Sequence, residues 1–207
     1  MGRSSSIKKF SSLTDNESYH GEHNDLYYYC VYIGKASLIV DPMDSVWYVQ
    51  DGFVASHRGG EVHSTQMAVV IRGYTPSKRI AEINTCPILP YINGCATSQL
   101  LPPIRIGDPT FQLLSMPPYT SEQSHHIHST ARVVFVYEGA GTCEHGSEGH
   151  TKSMKLEKGD VLIIDKMYPH HFVTEKENLV VLPLHIFSST SLENSHPMME
   201  GTHKTQG

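Results

Sequence analysis

From Leu26 onward the chain is divided into short apolar runs: LYYYCVYI, ASLIV, SVWYVQ, FVAS, MAVVIR and RIAEI. They are rich in β-branched and aromatic residues and are separated by Gly34, Asp41-Pro42, Asp51-Gly52, Gly59-Gly60 and Thr75-Pro76. Strand-length runs recurring every 8–12 residues or so, with turn residues between them, predict an all-β sandwich or barrel. No segment carries the period of a long amphipathic helix. Residues 1–25 are polar and serine-rich with no period of either kind, which predicts a flexible arm. Residues 86–110 are punctuated by proline and glycine and lead into the strand FQLLSM.

The chemistry concentrates in residues 117–141. This stretch opens on Pro117-Pro118, passes His125, His126 and His128, becomes an apolar strand over Val133–Tyr137 and ends in a turn at Gly139–Gly141. Residues two apart on a strand share a face, so His126, His128, Arg132, Val134 and Val136 are expected to point the same way. Two imidazoles on one face are half of a site for Zn, Cu, Fe or Ni. Next come a glycine- and histidine-bearing loop (GTCEHGSEGHT), a turn at Glu157–Asp160 and a turn at Met167–Pro169 that delivers His170 and His171. The strand NLVVLPLHIF and a polar tail finish the chain.

Composition narrows the class. At 207 residues the chain is long enough for one domain with a sizeable core. A net charge of −5 argues against nucleic acid as a partner. Cys30, Cys86, Cys95 and Cys143 show no C-x-x-C spacing and are expected as reduced thiols in a cytoplasmic protein. No run reaches the 18 or so apolar residues of a transmembrane helix. Met1–Ser6 fits the loose N-myristoylation pattern at Gly2, with Lys8-Lys9 behind it; a polar leader is the competing reading. An internal echo, Glu61–Thr65 before MAVVIRGY and His126–Thr130 before RVVFVYEG, raises the reading of a degenerate second half.

Two pieces now fit together: His126-x-His128 with Arg132 and Gly139, and Gly159 with Asp165, Met167, Tyr168, Pro169 and His170. They resemble the two motifs of the cupin superfamily, G(X)5HXH(X)3–4E(X)6G and G(X)5PXG(X)2H(X)3N, over roughly residues 110–187. The resemblance implies a jelly-roll barrel at 105–188, with an N-terminal β extension at 26–104 and a flexible tail at 189–207. It also implies one divalent metal on His126, His128 and His170. Arg132 stands where the family has its glutamate ligand, Thr120 and Met167 replace glycines, Asp165 the proline and Thr174 the asparagine. A cation cannot ligate a metal, so a three-histidine set is expected, unless Glu122 joins from the preceding loop.

The resemblance further implies chemistry. Cupin thiol and diketone dioxygenases use three-histidine iron, and thiol dioxygenases hold the substrate carboxylate with an arginine. The expected activity is therefore a non-haem Fe(II) oxygenase acting on a small anionic, carboxylate-bearing molecule, with Zn, Mn, Ni or Cu as other ions the site accepts. Arg132 would hold the carboxylate, or alternatively pair with Asp165 or Glu138; Tyr119, Tyr168 and His171 are the candidate proton carriers. A metal-dependent lyase or isomerase and a non-catalytic ligand-binding cupin are the competing classes. A homodimer is expected from the family alone. His125 is read as an exposed strand residue or as one orienting a ligand, His145 and His150 as solvated, and His185 as a hydrogen-bonded core histidine.

Overall fold

The computed structural model describes residues 6–15, 18–20, 29–34, 37–63, 65–72, 78–87, 89–104 and 107–186. Apart from one turn of 3-10 helix at Ile92–Gly94, the regular structure among them is β. In chain order the strands are β1 (Ile7–Ser11), β2 (Ser18–His20), β3 (Tyr29–Ile33), β4 (Leu38–Gln50), β5 (Phe53–Val62), β6 (Met67–Arg72), β7 (Arg79–Glu82) and β8 (Leu89–Pro90). They continue as β9 (Ala96–Leu101), β10 (Thr110–Met116), β11 (Arg132–His145), β12 (Lys152–Glu157), β13 (Asp160–Ile164), β14 (His170–Val173) and β15 (Leu179–His185). Among the described residues no helix is long and apolar enough to cross a membrane.

Two compact units divide the chain, residues 10–83 and residues 1–9 with 84–207. The first holds a six-stranded sheet in the order β2-β3-β6-β4-β5-β7. The second holds nine strands, with β1-β13-β11-β15-β10-β9-β8 in one path and β12 and β14 also paired to β11. Two expectations change here, and a third lies beyond the described residues. The boundary expected at 104/105 falls at Ile83/Asn84, because β8 and β9 hydrogen-bond towards β10. The expected arm contains β1 and β2, since its polar strands find partners in β13 and β3 that no local pattern could signal. The tail at 189–207, the myristoylation pattern at Gly2, and His196 and His203 lie outside the described residues.

The core of the second unit is built by alternation. Leu114 and Met116 on β10, Val134 and Val136 on β11, Leu162 and Ile164 on β13, and Leu179 and Val181 on β15 form one buried cluster. Burying each such side chain contributes about 1.5–3 kcal/mol. The pairing puts Val136 opposite Val181, Val134 opposite Pro183 and Arg132 opposite His185. Opposite residues share a face, so the apolar rows of β11 and β15 run directly into an arginine and a histidine.

β11 changes partners half-way. Arg132–Phe135 pair with β13 and the first half of the strand also pairs with β15, whereas Ala140–His145 pair with β12 and Thr142–His145 with β14. The change occurs at Gly139, just past a bulge between Val136 and Glu138. Strands commonly pass between sheets at bulges, which bend and twist them. The expected turn at Gly139–Gly141 is therefore a bend within one continuous strand. Gly139 has φ +75°, and a Cβ there would overlap the Asn178 carbonyl. Gly139→Ala combines left-handed strain with overpacking and should cost roughly 2–5 kcal/mol, measured as a lower urea midpoint at unchanged m-value.

Candidate metal centre

Residues 120–126 run antiparallel along β14. Thr174 N–H donates to Thr120 O at 2.8 Å, and Glu122 N–H to Phe172 O at 3.1 Å. His126 and His170 exchange a pair of backbone hydrogen bonds, at 3.2 and 3.0 Å. Between these anchors Gln123, Ser124 and His125 stand opposite His171 alone, so the segment bulges out. His126 and His128 are consequently not on a regular strand, contrary to expectation; only His126 makes a bridge, to His170. His128 is tied from the other side, its carbonyl accepting Met167 N–H at 2.6 Å.

The bulge brings three imidazoles together. One ring nitrogen each from His126, His128 and His170 lies within 4.8 Å of the others, and this is the one such group among the described residues. The ring centroids are 4.5 Å apart for His126–His128, 4.9 Å for His126–His170 and 5.3 Å for His128–His170. His126 Nδ1 lies 3.1 Å from Ser124 O and His170 Nδ1 lies 2.8 Å from Tyr168 O. A carbonyl only accepts, so both rings carry hydrogen on Nδ1 and keep the Nε2 lone pair. Metal-bound histidines are commonly oriented by a hydrogen bond of this kind. Burial, with Arg132 and the other imidazoles adding to it, holds His128 far below the usual histidine range. His170 is drawn down to about 3, by burial first, although the Tyr168 carbonyl opposes this. Metal ligation needs neutral imidazole, and burial holds His128 and His170 in that form. The triad can coordinate a divalent ion.

Around the triad lies a small cavity lined by Tyr91, Leu114, Val134, Phe172, Val181 and Pro183 on its apolar side and by Glu122, Arg132 and His185 on its polar side. Arg132 and His185 are buried, and Arg132 Nη2 meets His185 Nδ1 at 3.2 Å. Neither carboxylate weighed as a partner for Arg132 takes that part: Asp165 accepts from Ser6 N and Oγ at 2.8 Å, and the exposed Glu138 accepts from Asn178. Glu122 is buried, and its Oε1 accepts Phe172 N–H at 3.1 Å. Burial pushes its carboxyl up to about 7, against the opposing effects of the Phe172 N–H and Arg132.

The expected proton carriers lie elsewhere. Tyr119 has φ +57° and is 78% exposed. Tyr168 bonds through its hydroxyl to His145 Nδ1 at 3.1 Å, so His145 is a buried strand residue rather than a solvated one. His171 points away from the triad, its Nδ1 2.9 Å from His125 Nδ1, and His125 Nε2 bonds to Gly146 O. None of Tyr119, Tyr168 and His171 lines the cavity. In the first unit His57 binds Gly59 O and His63 faces Glu61, so neither belongs to a metal-ligating group. Tyr91 escaped the sequence reading altogether, and His185 was placed only in the core. Alternation along β15, Val181-Pro183-His185, was the signal that could have put His185 in the cavity.

The cupin family model matches residues 112–187. This segment is a cupin domain. It contains most of β10, all of β11 to β15 and every histidine of the triad. No curated protein matches the sequence. Among solved structures, the cupin 2 conserved barrel domain protein from Leptotrichia buccalis is 14% identical over 86% of this chain and 95% of its own, at a TM-score of 0.51. HEPD from Streptomyces albus, solved with 2-hydroxyethylphosphonate and Fe(II) bound, is 9% identical over 89% of this chain and 76% of its own, at 0.59. The polyketide cyclase RemF from Streptomyces resistomycificus is 20% identical over 45% of this chain, which spans 65% of that protein, at 0.40. The first two matches extend beyond the cupin segment into the N-terminal strands, so the likeness of fold is not confined to residues 112–187.

Two outcomes follow from the geometry. Zn(II) or Fe(II) should bind at about one equivalent and raise the unfolding temperature, and His128→Ala should lose both effects, read by metal analysis and calorimetry. Glu122 binds its proton more tightly folded than unfolded, so its contribution to stability is present below about 4.5 and is lost as pH rises through about 7. In metal-free protein the stability of Glu122→Gln relative to wild type should therefore climb between pH 5 and 8 by roughly 2.5 kcal/mol. Urea unfolding at several pH values measures it.

Proposed function

We propose that this protein is a non-haem Fe(II) oxygenase acting on a small carboxylate-bearing substrate. The observation that carries the reading is the sharing of one cavity by the imidazoles of His126, His128 and His170 and the buried Arg132 guanidinium. With three protein nitrogens as ligands, a divalent ion has positions left for exogenous ligands, which is what a catalytic metal requires. A guanidinium presents paired N–H donors that fit a carboxylate, and Arg132 would orient the substrate's acid group beside the triad. Leu114, Val134, Phe172 and Val181 keep bulk water from the reacting end, which strengthens every charge interaction there. The HEPD structure shows that a related fold accommodates both Fe(II) and a small organic anion.

A second reading, a metal-dependent lyase or isomerase, is favoured by Glu122. A cavity-lining carboxyl with its pKa raised to about 7 is suited to taking and returning a proton near neutral pH. In this reading the carboxyl replaces Tyr119, Tyr168 and His171 as the proton carrier, and the ion acts as a Lewis acid.

Protein loaded anaerobically with Fe(II) and offered a panel of small carboxylic acids should consume O2 with at least one of them. Arg132→Ala should keep its iron and lose about 100-fold or more in kcat/KM, the scale of losing a charged anchor, around 3 kcal/mol. Turnover without O2, supported equally by Zn(II) and abolished in Glu122→Gln, would replace the oxygenase with the lyase or isomerase.

A further inference from the structure

Arg132 and His185 are directly opposed on β11 and β15, are 6% and 8% exposed, and meet through Nη2 and Nδ1 at 3.2 Å. The tautomer follows from the partner. A guanidinium has five donors and no acceptor, so His185 Nδ1 must present its lone pair. The ring is then neutral with its hydrogen on Nε2. A proton on Nδ1 would break the contact and place two buried cations side by side, which burial makes very costly.

The contact also constrains the arginine. Glu122 lines the same cavity, and the charge of Arg132 is felt at its carboxyl. A long arginine side chain has much rotamer freedom to lose, and a hydrogen bond to a buried, strand-held partner fixes it. We infer that His185 is the positioning residue of an organic-acid subsite: by accepting one N–H of Arg132 it fixes the guanidinium in the wall of the cavity, where it would meet a ligand carboxylate. The inference rests on the reading that Arg132 receives the substrate's acid group. It adds a residue that acts through the arginine and contributes no charge. The subsite therefore owes its positive charge to Arg132, and His185 sets where that charge is aimed.

The test uses full-length, Zn(II)-loaded protein as wild type, His185→Asn and His185→Leu, titrated by calorimetry with propionate and with the neutral propionamide. The asparagine carbonyl can accept where Nδ1 does; leucine cannot. Propionate affinity should fall about tenfold or more in His185→Leu, the scale of a charge-assisted hydrogen bond, and be largely retained in His185→Asn. Propionamide affinity and zinc content should be the same in all three. An unchanged propionate affinity in His185→Leu, or an equal loss in both variants, overturns the inference.

A measurement without ligand separates this inference from the reading beneath it. Nitrogen-15 NMR of wild-type protein should show His185 as the Nε2–H tautomer, and the Nδ1–H tautomer would overturn the positioning role whether or not anions bind. The Nε2–H tautomer together with no propionate binding to wild type would instead overturn the acid-group reading of Arg132, and the subsite with it.

Discussion

Two backbone hydrogen bonds between His126 and His170 hold the centre together. They join residues 44 positions apart, and in doing so set two of the three imidazoles side by side before any ion is present. Everything around them accommodates that exchange. The bulge at 123–125 takes up the surplus chain, the Met167 N–H draws His128 inward, and the Ser124 and Tyr168 carbonyls select the ring nitrogen that faces the cavity. Preorganisation of this kind spares a bound ion the entropic cost of gathering its ligands.

Burial then gives the pocket its electrostatic character. The same desolvation keeps His128 and His170 neutral and discourages ionisation of Glu122, while the guanidinium of Arg132 keeps its charge throughout. At neutral pH the metal-free pocket thus leans positive, and a divalent ion deepens that imbalance. A small organic anion is the natural counterweight. The burial that makes His128 and His170 good ligands also leaves Arg132 as the fixed charge among the groups lining the pocket.

Much of this was legible in the chain. The strand-length runs mark most of the observed strands, and the histidine spacing marks the triad, because alternation and turn residues are local signals. What could not be read depends on distant partners. β1 is polar and short, and its place is set by β13 about 150 residues away. The orientation of His126 and His128 looked like strand parity but comes from a bulge on β14. Tyr119 flanks the ligands in sequence and was expected as a proton carrier, yet it is exposed and does not line the cavity. Gly139 looked like the end of a strand because glycine so often marks one; here it lets β11 continue through a bend where a side chain would collide with Asn178.

Among the described residues, 6–9 belong with 84–186 and not with the strands that follow them. Ser6 caps Asp165 through its N–H and hydroxyl, Asp165 N–H returns a bond to Ser6 O, and Lys9 reaches both Asp160 and the Lys155 carbonyl. The unit that holds the triad is therefore discontinuous in sequence, with residues 10–83 inserted into it. A fragment beginning at Asn84 would carry every ligand of the triad, yet β13 would be left as a bare edge with two buried or half-buried aspartates short of partners. Bare edges of this kind invite strand addition from other chains. Removing residues 10–83 while keeping the metal site would take a linker from Lys9 to Asn84, not a simple truncation.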